Sequence, residues 1–145
     1  MDIILEEDAV VKKNFELLKT VIGIGRITAL GFLIFTQNFT AFDNARQFNC
    51  YAGVAPFENS SGTSLKGKTK ISVLSNKKMK ALLGNGVNSA IQHDKEFKNY
   101  YDKKIKEGKH KQSVKNALKS KIISRAFAVI KRQTPFVKFE HPMAA

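Results

Sequence analysis

Two glycines separated by a single residue, Gly23 and Gly25, sit inside the most apolar stretch of the chain and dictate that two helices meet there. Upstream, Val11, Phe15, Leu18 and Ile22 recur at spacings of four, three and four, the period of one helix face, and Asp8 stands where a cap belongs. Downstream, Arg26 to Phe35 is apolar almost all round, as expected of a buried helix. A glycine inside a helix costs ~1 kcal/mol against alanine. The run Val21-Ile22-Gly23-Ile24-Gly25 therefore ends one helix and starts the next after a short turn. A hydrophobic-Gly-hydrophobic-Gly turn between helices predicts a helix-hairpin-helix. Backbone N–H groups at the second helix's N-terminus can then face a phosphate, with the helix dipole adding attraction and Arg26 placed to assist. The competing reading is a tight helical hairpin whose glycines serve packing alone.

The rest of the chain continues in helices. Asp43 or Asn44 can cap a short third helix over Ala45 to Tyr51, anchored by Phe48 and Tyr51 and ended by Gly53 and Pro56. Residues 57–73 read as a basic loop or short hairpin, because Ser-Ser-Gly and Lys-Gly-Lys are turn signals. Ser75 can cap a fourth helix that faces Met79, Leu82, Leu83, Val87, Ala90 and Ile91 inward. Gly84 and Gly86 inside it imply close packing or a break. Asp94 can cap a fifth helix carrying Phe97, Tyr100, Tyr101 and Ile105, with Gly108 as its stop. A sixth, about Lys111 to Arg132, carries Val114, Leu118, Ile122, Val129 and Ile130, and Pro135 follows it. The expected fold is mainly α: a single domain of about six helices over residues 1–135, then an irregular tail over 136–145.

Charge narrows the partner. The net charge is +13, and it is uneven: residues 1–65 carry five basic and seven acidic side chains, whereas 66–138 carry twenty against four. A basic half beside a neutral one points to a polyanion, and nucleic acid is the expected partner; a solvated basic face is the bland alternative. Lys66, Lys68, Lys70, Lys77, Lys78 and Lys80 crowd in and after the loop. Lys103, Lys104, Lys106, Lys109, Lys111, Lys115 and Lys119 form a second patch. Cys50 is the single cysteine, so no internal disulfide forms, and His93, His110 and His141 show no zinc spacing. The longest apolar run, Ile27 to Phe35, falls far below the ~20 residues of a membrane span. The acidic N-terminus lacks a signal peptide's basic start. The expected location is cytoplasmic, with no membrane partner. Asp94 and Glu96 read as helix-start residues, and no metal site is expected in this chain.

A serine hydroxyl can attack a phosphodiester when its proton is removed and the phosphate charge is offset. Ser61 has Gly62 beside it, which lets backbone approach a substrate, and Lys66 and Lys68 nearby. Spacing alone reads Ser61 as a turn serine. Tyr100 and Tyr101 could act as nucleophiles in principle, but core packing is their expected role.

Taken in order, these words resemble a known family. They are Ile22-Gly23-Ile24-Gly25 with Thr28-Ala29, Phe42, Ala45-Arg46-Gln47, Tyr51-Ala52-Gly53-Val54-Ala55-Pro56, Ser61-Gly62 and Lys66-Gly67. Then follow Ser75-Asn76-Lys77-Lys78, Ala81-Leu82, Phe97-Lys98-Asn99-Tyr100-Tyr101, Gly108-Lys109, and the last helix through Ala117 and Lys121. Over roughly residues 10–132 the chain resembles the C-terminal domain of the DEDD-type insertion-sequence transposases, the group that includes bridge-RNA-guided recombinases. The resemblance implies a two-part enzyme. An N-terminal resolvase-like domain holds four acidic residues and Mg2+, and the C-terminal domain supplies a nucleophilic serine in a Ser-Gly turn. That serine matches Ser61, with Ser60 the alternative register. The DNA-binding residues expected on this basis are Gly23, Gly25, Arg26, Gly62, Lys66, Lys68, Lys70, Lys77 and Lys78. The family often has Pro where this chain has Ile22, which leaves the glycine turn available. The acidic domain is not in this chain, so Mg2+ is expected only in the full enzyme, and the isolated domain is expected to bind DNA without cleaving it. A homo-oligomer and a guide RNA are further expected partners. The rival expectation is a non-catalytic helix-hairpin-helix module that binds nucleic acid.

Overall fold

The structure, a computed structural model, describes residues 8–54 and 76–138. These residues form six helices and no strand: α1 (Ala9–Lys19), α2 (Arg26–Phe35), α3 (Ala45–Tyr51), α4 (Lys77–His93), α5 (Lys95–Lys106) and α6 (Lys111–Arg132). The mainly α domain read from the sequence is therefore the fold. The loop or hairpin at 57–73, Pro56, Ser75 and residues 139–145 lie outside the described residues.

The longest helix, α6, is the spine and packs against α1, α3, α4 and α5, while α2 bridges α1 and α4. Leu18, Val21, Phe32, Phe48, Met79, Leu83, Val87, Phe97, Leu118, Ile122, Ile123 and Val129 are fully buried between them. The helix starts follow side-chain chemistry. Asp8 accepts hydrogen bonds from the backbone N–H of Val10 and Val11, Asn44 from Gln47, and Asp94 from Phe97. Each satisfies a donor that has no partner within its helix. The cap of α4 is Asn76, one residue after the expected Ser75; its Oδ1 accepts the Met79 N–H at 2.9 Å.

Two expectations need correcting. First, α1 ends at Lys19 rather than at the glycines, because Thr20 turns its hydroxyl back onto the Leu17 carbonyl at 2.6 Å and closes the helix. Residues 20–25 form the link, with Val21 and Ile24 buried beneath it. Second, α2 is not buried all round. It buries Thr28, Ala29, Gly31, Phe32 and Leu33, but Ile27 is 62% and Ile34 50% exposed.

The polar loop after α2 hides a left-handed turn. Gln37, Asn38 and Phe39 have φ of 52, 57 and 65°. Asn tolerates this region, whereas for Phe it is strained. Tertiary contacts hold it. The Phe39 ring stacks on Phe32 at 6.2 Å and meets Phe127 edge-on at 4.9 Å. Asn14 Nδ2 donates to Asn38 Oδ1 at 2.8 Å, and Gln133 Nε2 donates to Asn14 Oδ1 at 3.1 Å.

Residues 133–138 carry no helix, as expected of the region beyond α6, yet they are anchored. The Phe136 N–H donates to Thr20 Oγ1 at 2.9 Å, the Phe136 ring lies 4.8 Å from the Arg125 guanidinium, and Lys138 Nζ reaches Asp94 Oδ1 at 2.6 Å. This strap joins the end of α1 to the start of α5.

Candidate nucleic-acid interface

The two turn glycines differ physically. Gly23 has φ +95°, and a Cβ there would lie 2.6 Å from Ile122 Cδ1 of α6. A Cβ on Gly86 of α4 would collide with the Gly23 carbonyl oxygen. Glycine at both places lets turn backbone rest directly on helix backbone. This resolves Gly86 as close packing, since α4 runs unbroken from Lys77 to His93. Gly25 caps α2 with φ −97° and ψ −168°, in extended backbone, and a Cβ there would meet nothing within 4 Å. The fold requires the first glycine and not the second. The bareness of Gly25 keeps the start of α2 open on its outer side, and Arg26 beside it is exposed.

A cation stands at the first position of four of the six helices: Arg26, Lys77, Lys95 and Lys111. Positive charge there opposes the helix dipole and costs a few tenths of a kcal/mol per helix. No acidic residue occupies the first turn of α2, α4 or α6 to offset it. Lys77 and Lys78 are both exposed. Exposed cations at helix starts suit an anionic partner.

The four carboxylates among residues 76–138 are all engaged. Glu96 binds Arg125 through both oxygens at 2.9 and 2.8 Å and Lys121 at 3.5 Å. The hydrogen bond from Arg125 is the main cause that holds the Glu96 carboxyl below its ordinary range. Asp94 binds Lys138. Burial pushes its carboxyl up, but hydrogen bonds from Lys138 and the Phe97 N–H outweigh that and hold it low. Asp102 pairs with Lys98 at 3.8 Å and Glu107 with Lys104 at 3.3 Å. Among the described residues no cluster of three or more His, Cys, Asp or Glu could hold a metal ion. These paired carboxylates do not fit a magnesium site.

Most lysines of the second patch are exposed, but Lys119 is not. It is 6% exposed on α6. A methyl placed on Gly84 of α4 would lie 3.7 Å from its Nζ. Burial first, then the charges of Lys80 and Lys115, push the Lys119 ammonium below the ordinary lysine range. A helical wheel could have found it: Lys119 lies four residues before Ile123 and three before Ile122, inside the buried arc. Tyr100 is half-buried, with Lys104 and Lys121 over its ring at 5.7 and 5.2 Å, and Tyr101 packs against the core.

The structure thus brings Gly23 onto Gly86 and Ile122, with Gly25 and Arg26 at the adjoining start of α2, and places Lys77 and Lys78 at the start of α4. Ser60, Ser61, Gly62, Lys66, Lys68 and Lys70 lie outside the described residues. No helix of the described residues is long and apolar enough to cross a membrane.

An exposed basic surface on a helical domain is what DNA-handling proteins present. The family model described as transposase, IS116/IS110/IS902 family, matches residues 15–102, and the chain belongs to that family. It is also similar to the pilin gene-inverting proteins of Moraxella lacunata and Moraxella bovis, each 29% identical over 126 residues. That alignment covers 86% of this chain and 39% of either relative, so the chain spans about two fifths of their length.

Proposed function

We propose that this chain is the part of a DEDD-type transposase that grips DNA and supplies the nucleophilic serine for strand cleavage and transfer. The observation that carries the reading is exposed positive charge at helix starts, beside carboxylates that are already engaged. Every carboxylate of residues 76–138 is already paired, while cations head α2, α4, α5 and α6. In this reading the Gly23–Gly25 turn works as a helix-hairpin-helix, with Arg26, Lys77 and Lys78 on neighbouring phosphates; these contacts position a duplex without reading its sequence. Ser61 Oγ attacks the phosphorus of a phosphodiester. The new bond joins serine to phosphorus, the bond from phosphorus to the leaving strand's sugar oxygen breaks, and that oxygen takes up the serine proton. Gly62 allows close approach, and Lys66, Lys68 and Lys70 offset the charge that develops on phosphate. Mg2+ belongs to an acidic domain of the full enzyme, which works as an oligomer in the cytoplasm on nucleoid DNA, with a guide RNA as a further partner. By likeness to the pilin gene-inverting proteins, the rearrangement includes inversion of a DNA segment as well as insertion.

The test is Ser61→Ala in the intact recombinase. Strand transfer and the covalent protein–DNA species should vanish while duplex binding by mobility shift persists. Undiminished strand transfer would overturn the nucleophile assignment and leave a non-catalytic binding module.

A further inference from the structure

Lys119 is a buried cation, and the charges of the described residues that act on it are cations. It projects from α6 toward Gly84 of α4, with half-buried Lys80 and Lys115 acting on it. Among the described residues none of the three has a carboxylate within ion-pair distance, unlike Lys98, Lys104, Lys121, Arg125 and Lys138. A buried charge is ordinarily paired or replaced by an apolar side chain. Neither holds here, and methionine would fill the same space. The gap in the arrangement is one anion. Gly84 borders it: a Cβ there would stand in ordinary contact with the Lys119 terminus, 3.6 Å from Cε and 3.7 Å from Nζ, and glycine leaves that space open.

We propose that Lys119, Lys80 and Lys115 form a seat on the α4–α6 seam for a single phosphate group of a nucleic-acid backbone. The proposal rests on the DNA-binding reading above and gives it a fixed point. A desolvated ammonium binds phosphate more strongly than a solvated one, because little water competes. The seat also lies in register with the hairpin. Lys119 precedes Ile122 by three residues, about 4.5 Å along the helix, and the Ile122 side chain packs on Gly23. A phosphate in the seat therefore fixes the distance from the strand to the start of α2.

The probes are inorganic phosphate and a short DNA duplex, with the whole chain and its Lys119→Met variant, which keeps the buried stem. Phosphate titrated into the wild type should shift the backbone amide resonances of Gly84 and Lys119 saturably, and the variant should show no saturable shift. Duplex affinity should fall about tenfold or more in Lys119→Met, as expected for a lost contact to a charged group. The slope of log affinity against log salt should flatten by about 0.9, one phosphate's worth. Lys13→Met, at an exposed position of α1, should change affinity less than about twofold. The double variant Lys80→Met/Lys115→Met, nearer the surface, should weaken binding in the same direction should Lys119→Met fail to fold. Lys119→Met binding duplex as well as Lys13→Met does would overturn the proposal. A phosphate response at Gly84 with unchanged duplex affinity would overturn the nucleic-acid source and leave free phosphate as the ligand. If the wild type binds no duplex, the recombinase reading is what fails, and the absence of a phosphate response at Gly84 would then overturn the seat as well.

Discussion

Two basic corners of this molecule use charge in opposite ways. Between α5 and α6, charge builds structure. Arg125 grips Glu96 with two hydrogen bonds and lies against the rings of Phe97 and Phe136, at 5.8 and 4.8 Å, while Lys138 closes the strap onto Asp94. At the α4–α6 seam, Lys80, Lys115 and Lys119 pair with no carboxylate of the described residues, and Lys119 is buried all the same. The first corner would hold in any folded helical protein. The second costs the isolated fold free energy that an anion would return. The difference locates where a net charge of +13 is surface available to a partner and where it has been consumed internally.

The largest effect should come from the glycine contact beside the seam. Gly86→Ala drives a methyl into the Gly23 carbonyl, backbone against backbone, so neither side can yield by a rotamer change. A loss of about 3 kcal/mol is expected, the upper end for overpacking, lowering the Tm by about 10 °C. A loss under about 1 kcal/mol in urea unfolding would mean that the turn does not rest on α4. At the other corner, Arg125→Met should destabilise by about 1–2 kcal/mol. That is less than a fully buried pair, because the Glu96 side chain is 36% exposed and water replaces part of what is lost. The sign with pH follows from Glu96. Its folded carboxyl is held below the ordinary 4.5, so the pair's contribution is complete above 4.5 and fades as pH falls through the folded value. Wild type and Arg125→Met should differ most near neutrality and converge in acid. A gap that persists unchanged in acid would assign the effect to ring packing alone.

Lys119→Met should move stability the other way. Its folded ammonium titrates below the ordinary 10.5, so the charged form is disfavoured in the fold. Removing it should stabilise by about 1 kcal/mol near neutral pH, a Tm rise of about 3 °C. The advantage should be full below the folded value and close as pH rises toward 10.5, where the unfolded lysine is also neutral. A destabilised Lys119→Met near pH 7 would mean that the ammonium serves the fold and would erase the contrast between the corners.

How far the sequence revealed this depends on the range of the contacts. Helix periods are local, so the stripes through Phe15 and Leu18, Met79 and Leu83, and Leu118 and Ile122 were readable, as were the caps Asp8 and Asp94, and Asn44 as one of two candidates beside Asp43. The left-handed turn at 37–39 was not, because Gln, Asn and Phe carry no glycine signal and rings and amides from elsewhere in the chain hold the turn. Phe136 was equally opaque: its N–H finds Thr20, 116 residues away. The candidate site divides the same way. The glycine turn and the lysine-rich half could be read as a nucleic-acid surface. Gly23 and Gly25 looked equivalent on paper, however, and Lys119 was one basic residue among many, because which lysine is buried depends on a glycine on another helix.

The smallest effect on stability tests the most about function. Gly25→Ala places its methyl in open space at an extended φ, so no clash arises. Alanine is a poorer N-cap than glycine, but it also restricts the unfolded chain, and these opposed terms should leave stability within about 0.5 kcal/mol. The methyl nevertheless stands beside the first N–H groups of α2, where a phosphate must approach if the turn is a DNA grip. Duplex affinity should therefore drop several-fold with the unfolding curve unmoved. Gly23→Ala, by contrast, should unfold easily, because φ +95° and Ile122 both forbid the side chain. An unchanged affinity in a folded Gly25→Ala protein would reduce the hairpin to a packing device and leave the α4–α6 seam and the starts of α4 and α6 as the surface that meets nucleic acid.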